Sequence, residues 1–196
     1  MIRIILSGPP GAGKGTQGKR LAAALAVPAI STGDLFRDQV RRRTETGVAL
    51  EALVAAGDFV PDAITNAMVA ERLEQSDAAN GFILDGYPRT PDQVVELDRM
   101  LAARGVALDA AVLLDVPDDM VATRLAGRAE LGRADDTDEV IRHRIALYHR
   151  ETAPLTVLFD ARGLLVRVDG SDLPDVVQAR LLAALEPLRR RASTAA

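Results

Sequence analysis

The chain has 196 residues, 48% hydrophobic and 27% charged, with a formal net charge of −4 and no cysteine. That length carries one domain with a sizeable core, and the acidic balance gives no general pull towards nucleic acid or an anionic membrane. Without cysteine there is neither a disulfide framework nor a thiolate metal site, so a reducing, cytoplasmic setting is the expectation.

The opening apolar run "IRIIL" (2–6) is too short for a signal-peptide core, and no run approaches the roughly 18 residues of a membrane span. It predicts a buried strand. Directly after it, Gly8 to Lys14 matches G-x-x-x-x-G-K and leads into a helical run through Leu21, Ala22 and Leu25. Strand, glycine turn and helix are the context a phosphate loop requires: glycines let successive backbone N–H groups point at an anion, and the helix adds its positive end. Lysine occurs only at Lys14 and Lys19, every other basic residue being arginine. Its compact ammonium can follow a phosphoryl group between oxygens, whereas a planar guanidinium is fixed and bulkier. One departure from the strict pattern is Gly15 where Ser or Thr is expected, with Thr16 next.

"VPAI" (27–30) predicts a second strand. The segment 31–80 that follows holds amphipathic material for two or three helices, more than a simple crossover needs, with helical spacing at Met68, Arg72 and Gln75 beside Ala67 and Ala70. "GFILD" (81–85) predicts a third strand, placing Asp85 at the carboxyl edge of the sheet, where ligands bind in such folds. Pro91 after Thr90 signs a helix start, and Val94, Leu97 and Leu101 continue it. A fourth strand at "AAVLLDV" (110–116) precedes a helix signed by Pro117, Asp118 and Asp119. "GRAELGRADD" (127–136) predicts a polar loop, Asp136 with Glu139 a further helix start, and "LLVRV" (164–168) the fifth strand. The small and polar stretch 187–196 predicts a frayed tail. Strands alternating with helices predict one α/β domain over 1–196, a parallel sheet flanked by helices, with insertions at 31–60 and 127–136.

"GKGTQ", "STGDLFR" (31–37) and "FILDGYPRTPDQ" (82–93), followed by "GRADD" (132–136), "RHR" (142–144) and "ETAPL" (151–155), closely resemble the adenylate kinases in the same order along nearly the whole chain. The resemblance implies a phosphate-loop (P-loop) core, a helical monophosphate-binding arm over 31–60 and a short lid over 127–136. It implies Mg2+-dependent, reversible transfer of the terminal phosphoryl of ATP to AMP, giving two ADP, and so adenine nucleotide homeostasis. ATP then lies on Gly11, Ala12, Gly13, Lys14, Gly15, Thr16, Arg124, Arg128 and Gly170. AMP lies on Thr32, Arg37, Asp58, Phe59, Val60, Gly86, Tyr87, Pro88, Arg89, Gln93, Arg133 and Arg144. Lys14, Asp85, Arg89, Arg124, Arg133 and Arg144 carry the catalytic charges, and Asp85 organises the waters of an Mg2+ that arrives with ATP rather than binding metal directly.

Two arginine forks, Arg37 and Arg89, suit bidentate grip of one phosphate. The Gln93 carboxamide, donor and acceptor together, can pair with two edges of an adenine; Gln93 and Thr32 resemble the adenylate members, where the uridylate and cytidylate kinases usually have asparagine and alanine. The short lid without cysteine implies no zinc. A kinase of UMP or CMP is the alternative, and a non-catalytic nucleotide-binding regulator a more distant one. The expected partners are the small molecules ATP, AMP and ADP, with no nucleic acid, no membrane and a monomeric state; the "RRR" runs at 41–43 and 189–191 are not interleaved with aromatics.

Overall fold

The computed structural model describes residues 2–130 and 137–194, with side chains over 2–125 and 137–190. Five parallel strands, β1 (Ile2–Ser7), β2 (Ala29–Ser31), β3 (Gly81–Asp85), β4 (Ala110–Asp115) and β5 (Leu165–Asp169), form one sheet in the order β2-β3-β1-β4-β5. Each lies within a residue or two of its predicted run. Alternation sorts the side chains to two faces: Ile4, Leu6, Ile83, Val112 and Leu114 join one core, while Ile5, Phe82, Leu84 and Ala111 join the other. Helices cover both faces, so the strands are apolar almost throughout. The first core takes Leu21 of α1 (Lys14–Leu25) and Val177, Leu181 and Leu185 of α9 (Pro174–Thr194). The second takes Val69 and Leu73 of α4 (Asp62–Leu73), Val94, Leu97 and Leu101 of α5 (Pro91–Ala102), and Leu155 and Phe159 of α8 (Leu155–Ala161).

The chain leaves β1 for one side of the sheet and leaves β3 for the other, so the carboxyl ends of these central strands border the crevice where order reverses. Register puts Leu6 and Ser31 on either side of Asp85 there. Beyond this edge stand α2 (Thr32–Arg41) and α3 (Glu45–Ala56), capped by Ser31 and Thr44, around a separate core of Phe36, Leu50 and Val60. Three such side chains contribute about 1.5–3 kcal/mol each, whereas ordering each backbone residue costs about 1–2 kcal/mol. The arm therefore depends on its junction with the sheet.

Four local expectations differ from the structure. In α4 the buried stripe is Thr65, Val69 and Leu73, one residue out of phase with the Met68 and Arg72 spacing, because Met68 faces the arm's own small core. The helix α6 (Asp118–Glu130) runs through the first four residues of the predicted 127–136 loop, whose remainder lies outside the described residues. The next helix, α7 (Asp138–Leu147), is capped by Thr137, whose hydroxyl accepts from the Val140 N–H, rather than by Asp136. Finally, where a frayed tail is expected over 187–196, α9 continues past Pro187 to Thr194, with Leu185 buried before the proline and Leu188 packed on the core after it. Apolar contact on both sides offsets the one backbone hydrogen bond that proline removes.

Candidate active site

The carboxyl edge of the sheet, the arm and α7 enclose a cavity of about 1210 Å³. Gly11 to Thr16, Thr32, Arg37, Asp58 to Val60, Asp85 to Arg89, Gln93, Arg124, Arg144 and Gly170 all line it. Residues from seven separate stretches of sequence thus meet in one place. Of the predicted set, Arg133 lies outside the described residues, and Arg128 stands in α6 with its side chain outside them.

On one side the cavity wall is backbone. The loop between β1 and α1 curls back on itself, the Ala12 N–H donating to the Pro9 carbonyl (3.1 Å). Gly11 and Gly13 adopt φ of +83° and +94°, and a Cβ on Gly11 would stand 2.8 Å from Leu125 Cγ, so no larger residue fits that turn. Lys14 Nζ crosses the loop to donate to the Gly8 and Pro9 carbonyls (2.7 and 2.8 Å). Arg124, on α6, donates to the carbonyls of Gly170 (3.0 Å) and Ser171 (3.1 Å), fixing the connection from β5 to α9 against this side.

The other side is built from side chains. Thr32 Oγ1 donates to the Gly86 carbonyl (2.9 Å), tying the start of the arm to the loop after β3. Arg89 Nε donates to the same carbonyl (2.7 Å), and its guanidinium lies over the Phe59 ring, 5.1 Å from the centroid. Arg37 is held by Asp34 (2.5 Å). Gln93 is buried, its Oε1 accepting from the Arg89 N–H (2.7 Å) and its Nε2 donating to Asp62 Oδ1 (2.6 Å). Gly57 ends α3 at φ +77°, and a Cβ there would stand 2.5 Å from Arg144 Nε, so the arm approaches α7 closely. His143 and Asp58 bridge the same gap (2.6 Å), and His149 pairs with Asp118 (2.9 Å); both histidines are exposed, as expected, but neither is solitary.

Asp85 stands at the seam between the two sides. Burial pushes its carboxyl above the usual range, and Lys14 and Arg89 pull it back without cancelling that effect. Burial likewise lowers Arg89, with Asp85 opposing; a guanidinium remains charged regardless. The Tyr148 hydroxyl is pushed up to about 12, first by burial and then by Asp115 and Asp118, so it stays protonated at neutral pH. Among the described residues, no group of three or more His, Cys, Asp and Glu is arranged to hold a metal ion.

Several cavity residues take places that the sequence does not announce, Thr152 among them although it lies within the quoted "ETAPL". Tyr148 and Thr152 reach the wall through a π-helical stretch (Tyr148–Thr152) that periodicity does not announce, and Thr152 Oγ1 donates to the Arg89 carbonyl (3.2 Å). Gln17 lies in the quoted "GKGTQ", yet only the fold shows its Nε2 donating to the Pro174 carbonyl (2.8 Å).

The family model described as Adenylate kinase matches residues 6–164. The chain is 52% identical over 187 residues to an adenylate kinase of Kocuria rhizophila, covering 95% of this chain and 100% of that protein. It is 53% identical over 190 residues to one of Micrococcus luteus, covering 96% and 93% of the two chains. A third, from a Mycobacterium species, is 53% identical over 184 residues, covering 94% and 99%.

Proposed function

The chain belongs to the adenylate kinase family, and on that premise we propose how its own residues carry the reversible transfer of the terminal phosphoryl group of ATP to AMP, giving two ADP. The observation that carries this reading is the convergence of Lys14, Arg37, Asp85, Arg89, Arg124 and Arg144 on one cavity. Two polyanions repel one another, and phosphoryl transfer needs alignment and charge stabilisation more than covalent chemistry. Fixed cations converging on one cavity supply both, and their effect grows as water leaves. A kinase of UMP or CMP is not favoured, because relatives about half identical over nearly the whole chain carry the name adenylate kinase.

ATP phosphates sit on the backbone N–H groups of Gly11 to Thr16 and on Lys14, with Arg124, Arg128 and Gly170 around the rest of that nucleotide. Arg37 and Arg89 grip the phosphate of AMP, Thr32 and the backbone of Asp58 to Val60 and Gly86 to Pro88 line its path, and Gln93 meets its base. Arg133 and Arg144 close over the transferring group. The attacking phosphate oxygen of AMP is already anionic at neutral pH, so no general base is needed, and His143 and His149 keep their surface aspartates.

The oxygen donors suit Mg2+: the Asp85 carboxylate comes within 3.9 Å of where a Cβ on Gly15 would stand, and Thr16 lines the same cavity. When bound with ATP, Mg2+ supplies neutralisation of the phosphate oxygens, and Asp85 would hold it through water. Zinc has no place in this reading, since the sequence contains no cysteine. We place the protein in the cytoplasm as a monomer; all the charges the reading needs lie on one chain, and among the described residues no helix is long and apolar enough to cross a membrane.

The test is a coupled assay of ADP formation from ATP and each nucleoside monophosphate. AMP is the expected preferred acceptor; EDTA abolishes turnover, and Mg2+ alone, without zinc, restores it. A folded protein that makes no ADP from ATP, AMP and Mg2+ would refute the reading.

A further inference from the structure

Asp62, the first residue of α4, stands behind the cavity wall rather than on it. Its two carboxylate oxygens reach across to the start of α5, Oδ2 accepting from Thr90 Oγ1 (2.7 Å) and Oδ1 accepting from Gln93 Nε2 (2.6 Å). Thr90 Oγ1 in turn accepts from the Gln93 N–H (3.2 Å), and Gln93 Oε1 accepts from the Arg89 N–H (2.7 Å).

These partners settle which end of the Gln93 carboxamide is which. A backbone N–H can only donate, so it faces the oxygen; a carboxylate can only accept, so it faces the nitrogen. Turning the amide over would set N–H against N–H₂ and carboxylate against carbonyl. A charge-assisted hydrogen bond alone biases such an equilibrium by roughly tenfold to a hundredfold. Gln93 lines the cavity at 2% exposure and keeps one Nε2 hydrogen and one Oε1 lone pair beyond those contacts.

We propose that Asp62 is a specificity-determining positioning residue, whose carboxylate locks the Gln93 carboxamide in one orientation and so fixes the order of donor and acceptor that the acceptor base meets. This rests on the reading above that Gln93 meets that base. The locked amide offers a donor to a ring nitrogen and an acceptor to an adjacent amino group. Adenine and cytosine present that edge; guanine and uracil present a ring N–H beside a carbonyl, the reverse order. A glutamine free to turn would serve both kinds, so the discrimination belongs to the two groups that prevent turning, the Arg89 N–H and, with the charge-assisted contact, Asp62.

Asp62→Asn is the sharpest test because it keeps the shape and removes the carboxylate's share of the bias, leaving the Arg89 N–H alone against the turned state. With the amide of Gln93 reversed, the new Nδ2 donates to Gln93 Oε1 while its Oδ1 still accepts from Thr90. The expected result is a loss of about tenfold, the size of one charge-assisted bond, in the kcat/KM preference for AMP over GMP. The preference for CMP over UMP falls alongside it; these two pyrimidines differ only at the edge in question, so ring size drops out. The KM for ATP stays within about twofold, because the donor side makes no contact with this network.

Gln93→Leu, alone and combined with Asp62→Asn, separates the possible failures. If Asp62→Asn alone lowers both ratios, Gln93→Leu erases the base preference and Asp62→Asn then adds nothing to Gln93→Leu, the coupling is as proposed. Should Gln93→Leu erase it while Asp62→Asn leaves both ratios intact, Asp62 has no part in selection and only the reading of Gln93 survives. If Gln93→Leu itself leaves the preference intact, both fall. An Asp62→Asn protein that loses activity equally towards every acceptor, with a lowered melting temperature, marks a structural role and overturns the proposal.

Discussion

The two walls of the cavity are made by different means. The phosphate-loop wall comes mostly from one contiguous stretch whose shape is set by backbone geometry: Gly11 and Gly13 at positive φ, and Lys14 bound to the carbonyls of its own loop. The arm wall is assembled from the side chains of Thr32, Arg37, Arg89 and Gln93, held by the Gly86 carbonyl, by Asp34 and, from behind the wall, by Asp62. A backbone cradle recognises what all nucleotides share, their phosphates. A network of side chains can recognise what differs between them, since its donors and acceptors are chosen residue by residue. The division predicts that changes on the loop wall alter turnover for every acceptor alike, whereas changes on the arm wall alter which acceptor is used.

The largest effect belongs to the loop wall. Lys14→Met removes the ammonium and should lower kcat by about two orders of magnitude or more, as loss of one strong electrostatic stabiliser does. The loss should be equal with AMP and with poorer acceptors; a loss that depended on the acceptor base would break the division of labour. On the arm wall, Gln93→Asn shortens the side chain by one methylene and draws its amide away from the cavity. An increase of about tenfold in the KM for AMP, the size of one or two hydrogen bonds, with the KM for ATP unchanged, is expected. Equal rises for both nucleotides would show that the walls are not independent.

Asp85 belongs to both walls, and its expected signature is in stability. Its carboxyl is raised in the folded protein because burial outweighs the attraction of Lys14 and Arg89. The folded state therefore binds this proton more tightly than the unfolded chain does. The stability associated with the group is present in acid and is lost as pH rises from the unfolded carboxylate value through the raised folded one. At neutral pH the buried acid is a burden on the fold, and Asp85→Asn should raise the melting temperature even as it impairs catalysis, by ~2–4 °C for each kcal/mol regained. Calorimetry across pH should show the gap between variant and parent narrowing towards acid. A variant less stable than the parent at neutral pH would mean that the ion pairs, not burial, dominate at the seam.

The same contrast explains what could be read from the sequence. The phosphate loop is contiguous, so glycine chemistry and the strand and helix around it suffice to place Gly8 to Lys14. The strands are legible because the central ones, β1, β3 and β4, are apolar on both faces, and Thr90 with Pro91 announces the start of α5. The arm wall was legible only through family motifs, and only for residues lying within them. Asp62 shows the limit: it resembles any acidic residue opening a helix, and its partnership with Gln93, 31 positions away, exists only once α4 and α5 pack together. The out-of-phase stripe in α4 has a related cause, because that helix packs against both the sheet and the arm, and its two apolar faces blur a single periodicity.

The smallest predicted effect tests how the arm wall is held shut. His143 on α7 and Asp58 in the arm approach to 2.6 Å, with both side chains somewhat over 40% exposed. An exposed pair of this kind contributes about 0–1 kcal/mol. His143→Ala should therefore raise the KM for AMP by no more than about fivefold and leave the KM for ATP alone, because the contact spans the arm side only. Asp58→Asn should have a similar effect, and the double variant should resemble either single one, since each removes the same contact. Raised salt should shrink the difference between parent and variants by screening the pair. Additive losses would mean that the two residues act separately, leaving the close approach of Gly57 to Arg144 as the contact that sets the arm against α7.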